Sequence, residues 1–114
     1  MTKWALVTGA SAGIGKEFCE QLAARGDNVV LVARRADRLE ELKAHLEKRY
    51  RVHAEVLAAD LANADDLKRV AERVAQASDP IEVLVNNAGF GLKTAFLDTD
   101  VEKEIASVDV MVKA

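Results

Sequence analysis

A glycine-rich segment near the N-terminus has the spacing of an anion-binding turn. Gly9, Gly13 and Gly15 fall between an apolar run and a helical pattern, with Ser11 among them. The first N–H groups of a helix have no internal acceptor, and the positive end of the helix dipole favours an anion, which glycines allow to come close. The segment therefore predicts a phosphate site. The alternative is a set of glycines that only make a tight turn.

A P-loop is excluded by two residues of the same segment. That motif needs a glycine five residues before Gly15, where Ala10 stands, and a Ser or Thr after Lys16, where Glu17 stands. The anion site predicted here is therefore of another type.

The elements around this turn follow from the hydrophobic pattern. Short apolar runs alternate with longer amphipathic patterns, which predicts a βαβα chain with strands at 4–8, 29–33, 52–58 and 81–85. Gly26 is expected to end the first helix, and Asn63 to cap the third. The residues expected on the inner faces of the three helices are Ile14, Phe18 and Leu22; Leu39, Leu42, Leu46 and Tyr50; and Leu67, Val70, Val74 and Ala77.

The last part of the chain is predicted to form a fourth helix. Thr99 and Glu102 have the spacing of a capping box. The apolar residues that follow are spaced four, three and four apart, as on one face of a helix, and they are Val101, Ile105, Val108 and Val112.

Three segments of the sequence together resemble the short-chain dehydrogenase/reductase family. They are Thr8-Gly9-x-x-x-Gly13-Ile14-Gly15, Asp60-Leu61 after the third strand, and Asn86-Asn87-Ala88-Gly89 after the fourth. The resemblance covers essentially the whole chain and implies the N-terminal, cofactor-binding half of such an enzyme. The fold it implies is α/β, a three-layer Rossmann-type half fold with parallel strands in the order 3-2-1-4, as a single truncated domain over residues 1–114.

The resemblance also implies roles for individual residues. The glycine segment would hold the pyrophosphate of a dinucleotide, Asp60 would contact the adenine, and the Asn-Asn-Ala-Gly segment would steady the sheet beside the adenosine ribose. The cofactor-binding residues implied in this way are Gly9, Ser11, Gly13, Ile14, Gly15, Asp60, Leu61, Asn87, Ala88 and Gly89. Taken singly, Asp60 is equally consistent with a solvated loop carboxylate, and the asparagines with a turn that ties down strand ends.

The end of the second strand indicates which dinucleotide is preferred. NAD-dependent relatives have a carboxylate there for the ribose hydroxyls, whereas this sequence has Ala33 followed by Arg34 and Arg35. Guanidinium groups match the charge and the oxygen acceptors of a 2′-phosphate, so NADP(H) is the expected cofactor. The alternative is that one or both arginines only belong to the solvated start of the second helix.

No catalytic residue is predicted. Reductases of the family use a Tyr-x-x-x-Lys pair and a Ser, but the only tyrosine, Tyr50, is followed four positions later by Ala54 and is expected in the core. The family's fourth-helix Asn falls near Met111, whose side chain forms no strong hydrogen bond. The leading interpretation is an NADP(H)-binding module. The alternatives are a fragment with weak hydride transfer, its catalytic groups borrowed or absent, and a structural unit that binds no nucleotide.

Composition excludes several other classes. The 16 basic and 19 acidic residues give a net charge of −3 and are interleaved, so no nucleic-acid partner is expected. A single cysteine, Cys19, cannot form an internal disulfide, which favours a cytoplasmic protein. His45, His53 and Cys19 lack metal-ligand spacing, so no metal site is predicted, and no apolar run suggests a membrane span or an export signal.

The expected partner, besides a dinucleotide, is a second copy of the chain. If the chain ends in a helix, the fourth strand at 81–85 becomes an edge of the sheet with unpaired backbone groups. A homodimer through this edge and the last helix is therefore predicted, with a monomer whose last helix covers its own edge as the alternative.

Overall fold

The computed structural model describes residues 3–11, 13–87, 101–105 and 108–112, the last two ranges through their backbone pairing. In chain order the elements are β1 (Trp4–Thr8), α1 (Gly13–Ala24), β2 (Asn28–Ala33), α2 (Ala36–Tyr50), β3 (Ala54–Ala58), α3 (Ala64–Ala75), β4 (Ile81–Asn86), β5 (Val101–Ile105) and β6 (Val108–Val112).

One sheet runs through the molecule in the order β3-β2-β1-β4-β6-β5. The pairs β2–β3, β1–β2 and β1–β4 are all parallel, with Trp4 opposite both Asn28 and Ile81. The predicted parallel order 3-2-1-4 is therefore confirmed. Because parallel strands need a crossover of a dozen or more residues, the three helices are the connections that such a sheet requires.

The sheet is covered on both faces, which explains why its central strands are apolar throughout. Residues of β1 and β2 alternate between two core clusters, so that Val7 and Leu31 face α1 and α2, whereas Leu6 and Val30 face α3. Helices on both sides of one sheet give the three layers expected from the sequence.

The helix ends are largely those that the sequence predicts. Gly26 follows α1 with a positive φ of 97°, and Asn63 caps α3 by accepting hydrogen bonds from the backbone N–H groups of Asp65 and Asp66. Two predicted core positions are wrong. Ile14 lies in the first turn of α1 with 52% of its surface exposed, and Ala77 lies beyond the end of α3 and is exposed.

The predicted fourth helix is also wrong, because its residues form two strands. β5 and β6 pair antiparallel, with Val101 opposite Val112 and Ile105 opposite Val108. Val108, Val110 and Val112 also alternate with period two, and β-branched residues favour strands. Glu102 lies in β5 instead of a capping box, and Thr99 lies outside the described residues.

The fourth strand consequently has a partner on each side. β6 pairs antiparallel with β4, with Val85 opposite Val110 and Leu84 opposite Met111. The backbone groups that a free β4 would leave unpaired are thus bonded within the chain. The prediction that β4 is an exposed edge is wrong, and so is the dimer surface built on that edge and a last helix. A homodimer through some other surface stays a prediction.

Candidate functional site

The candidate site lies where β1, β2 and β4 end at the same edge of the sheet, and the glycine turn is its centre. Gly9 and Gly13 both have positive φ values, 63° and 58°, a backbone conformation that glycine adopts without strain. At Gly15 the requirement is space, because a Cβ there would lie 2.0 Å from the backbone oxygen of Gly9. Gly9 therefore needs a left-handed backbone, and Gly15 needs to have no side chain.

Asparagines at the end of β4 hold this turn against the sheet. The Asn87 Nδ2 donates to the backbone oxygen of Gly9 at 3.4 Å, and the Thr8 Oγ1 donates to the Asn86 Oδ1 at 3.2 Å in a buried contact. Asn87 thus connects the two strand ends that border the turn. Ala88 and Gly89, also predicted to bind the cofactor, lie outside the described residues.

The helix that follows the turn differs from the other two in its first-turn charges. The first turn of α2 contains Asp37, and the first turn of α3 contains Asp65 and Asp66. The first turn of α1 has no acidic residue. Acidic side chains stabilise a helix N-terminus by offsetting its positive end. The positive end of α1 is not offset in this way, which suits an external anion.

Beside the glycine turn is a cavity of about 680 Å³. Six predicted site residues line it, and they are Gly9, Ser11, Arg34, Arg35, Asp60 and Leu61. Gly13, Ile14 and Gly15 are in the first turn of α1 and do not line it. The sequence analysis missed five further lining residues, which are Val32, Ala33, Arg38, Ala59 and Ala62. Arg38 is the charged residue among these five, and its place one turn after Arg34 was the signal that could have identified it.

The cavity is cationic on the side formed by β2 and α2. Arg34, Arg35 and Arg38 are all exposed and line it. Arg35 is in a bidentate contact with Asp37, from Nε to Oδ1 at 3.2 Å and from Nη2 to Oδ2 at 2.9 Å. This hydrogen bonding raises the pKa of Arg35 and lowers the pKa of Asp37 from their ordinary values.

The opposite side is a hydrogen-bonded turn that leads into α3. The Asp60 Oδ1 accepts from the backbone N–H of Ala62 at 3.0 Å, and the Asp60 N–H donates to the Asp66 Oδ2 at 2.9 Å. Asp60 is exposed and Leu61 is buried, so the turn presents a carboxylate next to an apolar anchor. Asp60 lines the cavity, and its predicted contact with an adenine stays a prediction.

These residues fit a dinucleotide. A Cβ at Gly13 would meet no atom within 4 Å, so the turn is open there. The helix end beside it favours a phosphate, and the cavity between β2 and the Asp60 turn has the volume of a ligand pocket. Its arginines supply the donors that a further phosphate requires.

None of the described residues that line the cavity is a tyrosine, histidine, cysteine or lysine. Tyr50 is half-buried against the core. The pKa of the Cys19 thiol is raised from 9.0 to about 12, mainly by burial and to a lesser extent by the charge of Glu20. In the part of the chain that the structure describes, no group of three or more His, Cys, Asp or Glu residues could hold a metal ion. Among the described residues, no helix is long and apolar enough to cross a membrane.

A protein-family model described as "short chain dehydrogenase" matches residues 3–114. The chain belongs to this family. Among curated relatives, a very-long-chain 3-oxoacyl-CoA reductase from Debaryomyces hansenii is 42% identical over 108 residues, which are 93% of this chain and 31% of the relative. The chain therefore spans about a third of the length of the curated relatives it matches.

Solved structures of the family give the same result. A short-chain dehydrogenase from Sphingobium yanoikuyae in complex with NADPH has a TM-score of 0.69 and 41% identity over 72% of this chain and 32% of that one. L-sorbose reductase from Gluconobacter frateurii, complexed with NADPH and L-sorbose, has a TM-score of 0.71 and 35% identity over 91% of this chain and 36% of that one. The Rossmann-type fold and the family expected from the sequence are thus confirmed.

Proposed function

We propose that this chain binds NADP(H) as the cofactor-binding part of a carbonyl or alcohol oxidoreductase. The observation that carries the proposal is the cavity beside the glycine turn, whose β2 side presents arginines where a preference for NAD would require a carboxylate. Two similar solved structures are complexes with NADPH, which supports the same cofactor.

The chain's own residues have separate tasks in this proposal. The glycine turn and the first N–H groups of α1 would hold the pyrophosphate, and Arg34 and its neighbours would hold the 2′-phosphate. Asp60 and Leu61 would border the adenine, and Asn87 would keep the turn in place through Gly9.

The bound cofactor would supply hydride transfer to or from a carbonyl carbon. Reduction of a carbonyl also needs a proton, and the sequence contains no Tyr-x-x-x-Lys pair to donate it. We therefore propose cofactor binding for this chain. We propose carbonyl reduction for longer proteins that contain such a chain as about a third of their length. The relatives named very-long-chain 3-oxoacyl-CoA reductase make a 3-oxoacyl thioester the first substrate to test.

Titration with NADPH and with NADH, followed by nicotinamide fluorescence, tests the proposal. NADPH should bind at least about tenfold more tightly than NADH, because a charge-assisted contact to a phosphate contributes about 1.5–3 kcal/mol. Arg34→Ala should remove most of this preference. Lys48→Ala is the matched control, since Lys48 is an exposed cation near the other end of α2.

Equal affinity for both dinucleotides would overturn the assignment of NADP(H). Absence of binding to a folded protein, checked by circular dichroism, would leave only the structural alternative. Adding 3-oxoacyl thioesters and simple ketones to the NADPH-bound protein separates binding from turnover. Oxidation of NADPH that is abolished by Gly15→Ala would show that the chain retains hydride transfer.

A further inference from the structure

The outer strand β3 has little charge to keep another strand from pairing with it. It lies at one end of the sheet, and no described strand lies beyond it. Its sequence, Ala-Glu-Val-Leu-Ala, has one charged residue, Glu55. The unpaired N–H and C=O groups of an edge strand are a template for a second chain, and proteins protect such edges with charges or by covering them. The β3 edge therefore needs another form of protection.

The backbone groups that β3 directs away from the sheet belong to its even-numbered residues. The backbone oxygen of His53 accepts a hydrogen bond from β2 at 3.1 Å, and the backbone N–H of Ala59 donates to β2 at 2.9 Å. Successive residues of a strand direct their backbone groups to opposite sides, so the odd-numbered residues of β3 bond to β2. Ala54, Val56 and Ala58 consequently direct their N–H and C=O groups outward.

Side chains from two helices occupy the two ends of this outward row. The Glu47 Oε2, near the end of α2, accepts from the Ala54 N–H at 3.0 Å. The Arg69 Nη2, on α3, donates to the backbone oxygen of Ala58 at 3.4 Å, while its Nη1 donates to the Asp66 Oδ1 at 3.1 Å. Because α2 and α3 pack on opposite faces of the sheet, the β3 edge is covered from both sides.

The two occupied groups are partners for each other in one arrangement of two copies. If two β3 strands pair antiparallel about a two-fold axis at Val56, each Ala54 lies opposite the Ala58 of the other copy. Residues opposite each other in a hydrogen-bonded antiparallel pair exchange both of their N–H···O bonds. The Ala54 N–H would therefore donate to the Ala58 oxygen of the other copy, and these are the two groups that Glu47 and Arg69 occupy.

The side chains of β3 would not prevent this arrangement. In the same register Glu55 lies opposite Leu57 of the other copy, so like charges do not face each other. Val56 and Leu57 are both partly exposed, and apolar and β-branched residues of this kind favour strand pairing. What distinguishes this edge from one that is open to a second copy is the pair of side-chain contacts.

We propose that Glu47 and Arg69 close the β3 edge to a second copy of this chain, and that the antiparallel pair of β3 strands about Val56 is the contact they prevent. Glu47 acts by occupying a backbone donor, and Arg69 acts by occupying a backbone acceptor. Both contacts must break before two β3 strands can form a complete pair. The inference does not depend on the binding of NADP(H), and it concerns only this edge of the sheet.

Sedimentation equilibrium of a double variant tests the inference. Glu47→Ala with Arg69→Ala should raise the association constant of the chain by at least about tenfold, because the released groups can form interchain hydrogen bonds at both ends of the β3 pair. Glu40→Ala with Lys68→Ala is the matched control, since it removes one exposed charge of each sign from the same two helices. The control should associate as the unmodified chain does.

Val56→Pro, added to the double variant, identifies the surface through which it associates. Proline has no N–H to offer at the centre of the β3 pair, and an edge strand tolerates proline where the N–H points outward. The triple variant should therefore associate as weakly as the unmodified chain. Association that persists with Val56→Pro would place the contact at another surface and overturn the inference. A double variant that associates no more than its control would also overturn it.

Amide hydrogen exchange tests the contact of Glu47 in the unmodified protein, so this measurement does not require that a variant folds. The Ala54 N–H should exchange at least about tenfold more slowly than the Val56 N–H, although both point away from the sheet, because only the first has an acceptor in Glu47. Equal rates at the two amides, whether fast or slow, would overturn the inference. In a folded Glu47→Ala protein, the Ala54 N–H should exchange as fast as the Val56 N–H.

Discussion

Two glycines of the site have different physical reasons to be glycine. Gly13 needs a positive φ, but a Cβ there would meet no atom within 4 Å. Gly15 is buried in α1, and a Cβ there would collide with the backbone of Gly9 and lie 2.9 Å from the Asn87 Nδ2. A side chain at Gly13 would strain the backbone locally, whereas a side chain at Gly15 would disturb the contact between α1 and the end of β1.

This difference predicts different costs for the same substitution. Gly13→Ala should lower the free energy of unfolding by about 1–2 kcal/mol, the cost of a left-handed residue with a side chain. Gly15→Ala should lower it by about 3 kcal/mol, because the Gly9 backbone must move. Urea denaturation of both variants measures the two values, and equal losses would contradict the distinction.

Nucleotide binding provides a second test of the role of Gly13. Gly13→Val should abolish binding of NADPH, since a branched side chain would stand where backbone and pyrophosphate meet. The open space beside Gly13 is compatible with a protein that still folds. Unchanged affinity for NADPH in folded Gly13→Val would show that this glycine serves only the turn.

At the scale of elements, the N-terminus of α3 is capped by the side chain of Asn63. The Asn63 Oδ1 accepts from the N–H groups of Asp65 and Asp66 at 2.9 and 3.1 Å. The same end of α3 supplies Asp66, which accepts from the Asp60 N–H at the edge of the cavity. The cap therefore supports the turn on which Asp60 is placed.

Asn63→Ala should lower the free energy of unfolding by about 1 kcal/mol, the usual cost of losing an N-cap acceptor. Asn63→Ser keeps an oxygen acceptor and should lose only a small part of this amount. Thermal unfolding by circular dichroism measures both variants. A serine variant as unstable as the alanine variant would show that the side-chain acceptor is not what stabilises this end of α3.

The elements also show where sequence reasoning succeeds and where it stops. The first four strands and three helices were predictable because each carries an apolar pattern with the period of its type. The spacing of Val101, Ile105, Val108 and Val112 fits a helix face, yet it also places residues on common faces of two short strands. What distinguishes strands from a helix here is the pairing of β6 with β4, a long-range contact that no local sequence pattern contains.

The candidate site shows the same division. Gly9, Arg34 and Asp60 were predictable because they follow strands whose carboxyl ends must meet at one edge. Arg38 was missed because it belongs to a helix, where a charged residue usually indicates only a solvated face. The engagement of Arg35 by Asp37 depends on side-chain geometry and is not encoded in their spacing alone.

At the scale of the whole molecule, the pairing of β4 decides which edge of the sheet is available to a partner. β4 lies between β1 and β6, so β5 is the outer strand on this side of the sheet and β3 is the outer strand on the other. The β5 sequence includes Glu102, Lys103 and Glu104, and charged residues at an edge oppose pairing with another chain.

Amide hydrogen exchange should detect this arrangement directly. Since consecutive N–H groups of a strand point to opposite neighbours, all amides from Val83 to Asn86 should exchange slowly when both β1 and β6 are paired. Alternating slow and fast exchange along β4 would contradict its pairing with β6. That pattern would also restore the β4 edge as a surface for the predicted homodimer, which sedimentation at micromolar concentration would then test.

The parallel pairing of β1 with β4 also has a consequence for the order of folding. Trp4 pairs with Asn28, 24 residues later, and with Ile81, 77 residues later. Closing the longer loop costs about 1 kcal/mol more chain entropy, and non-local contacts of this kind slow folding. During synthesis, β1 and β2, which α1 connects, can pair well before β4 has left the ribosome. The contact between Asn87 and Gly9 that braces the glycine turn forms only afterwards, so binding of NADPH to a growing chain would report the arrival of its fourth strand.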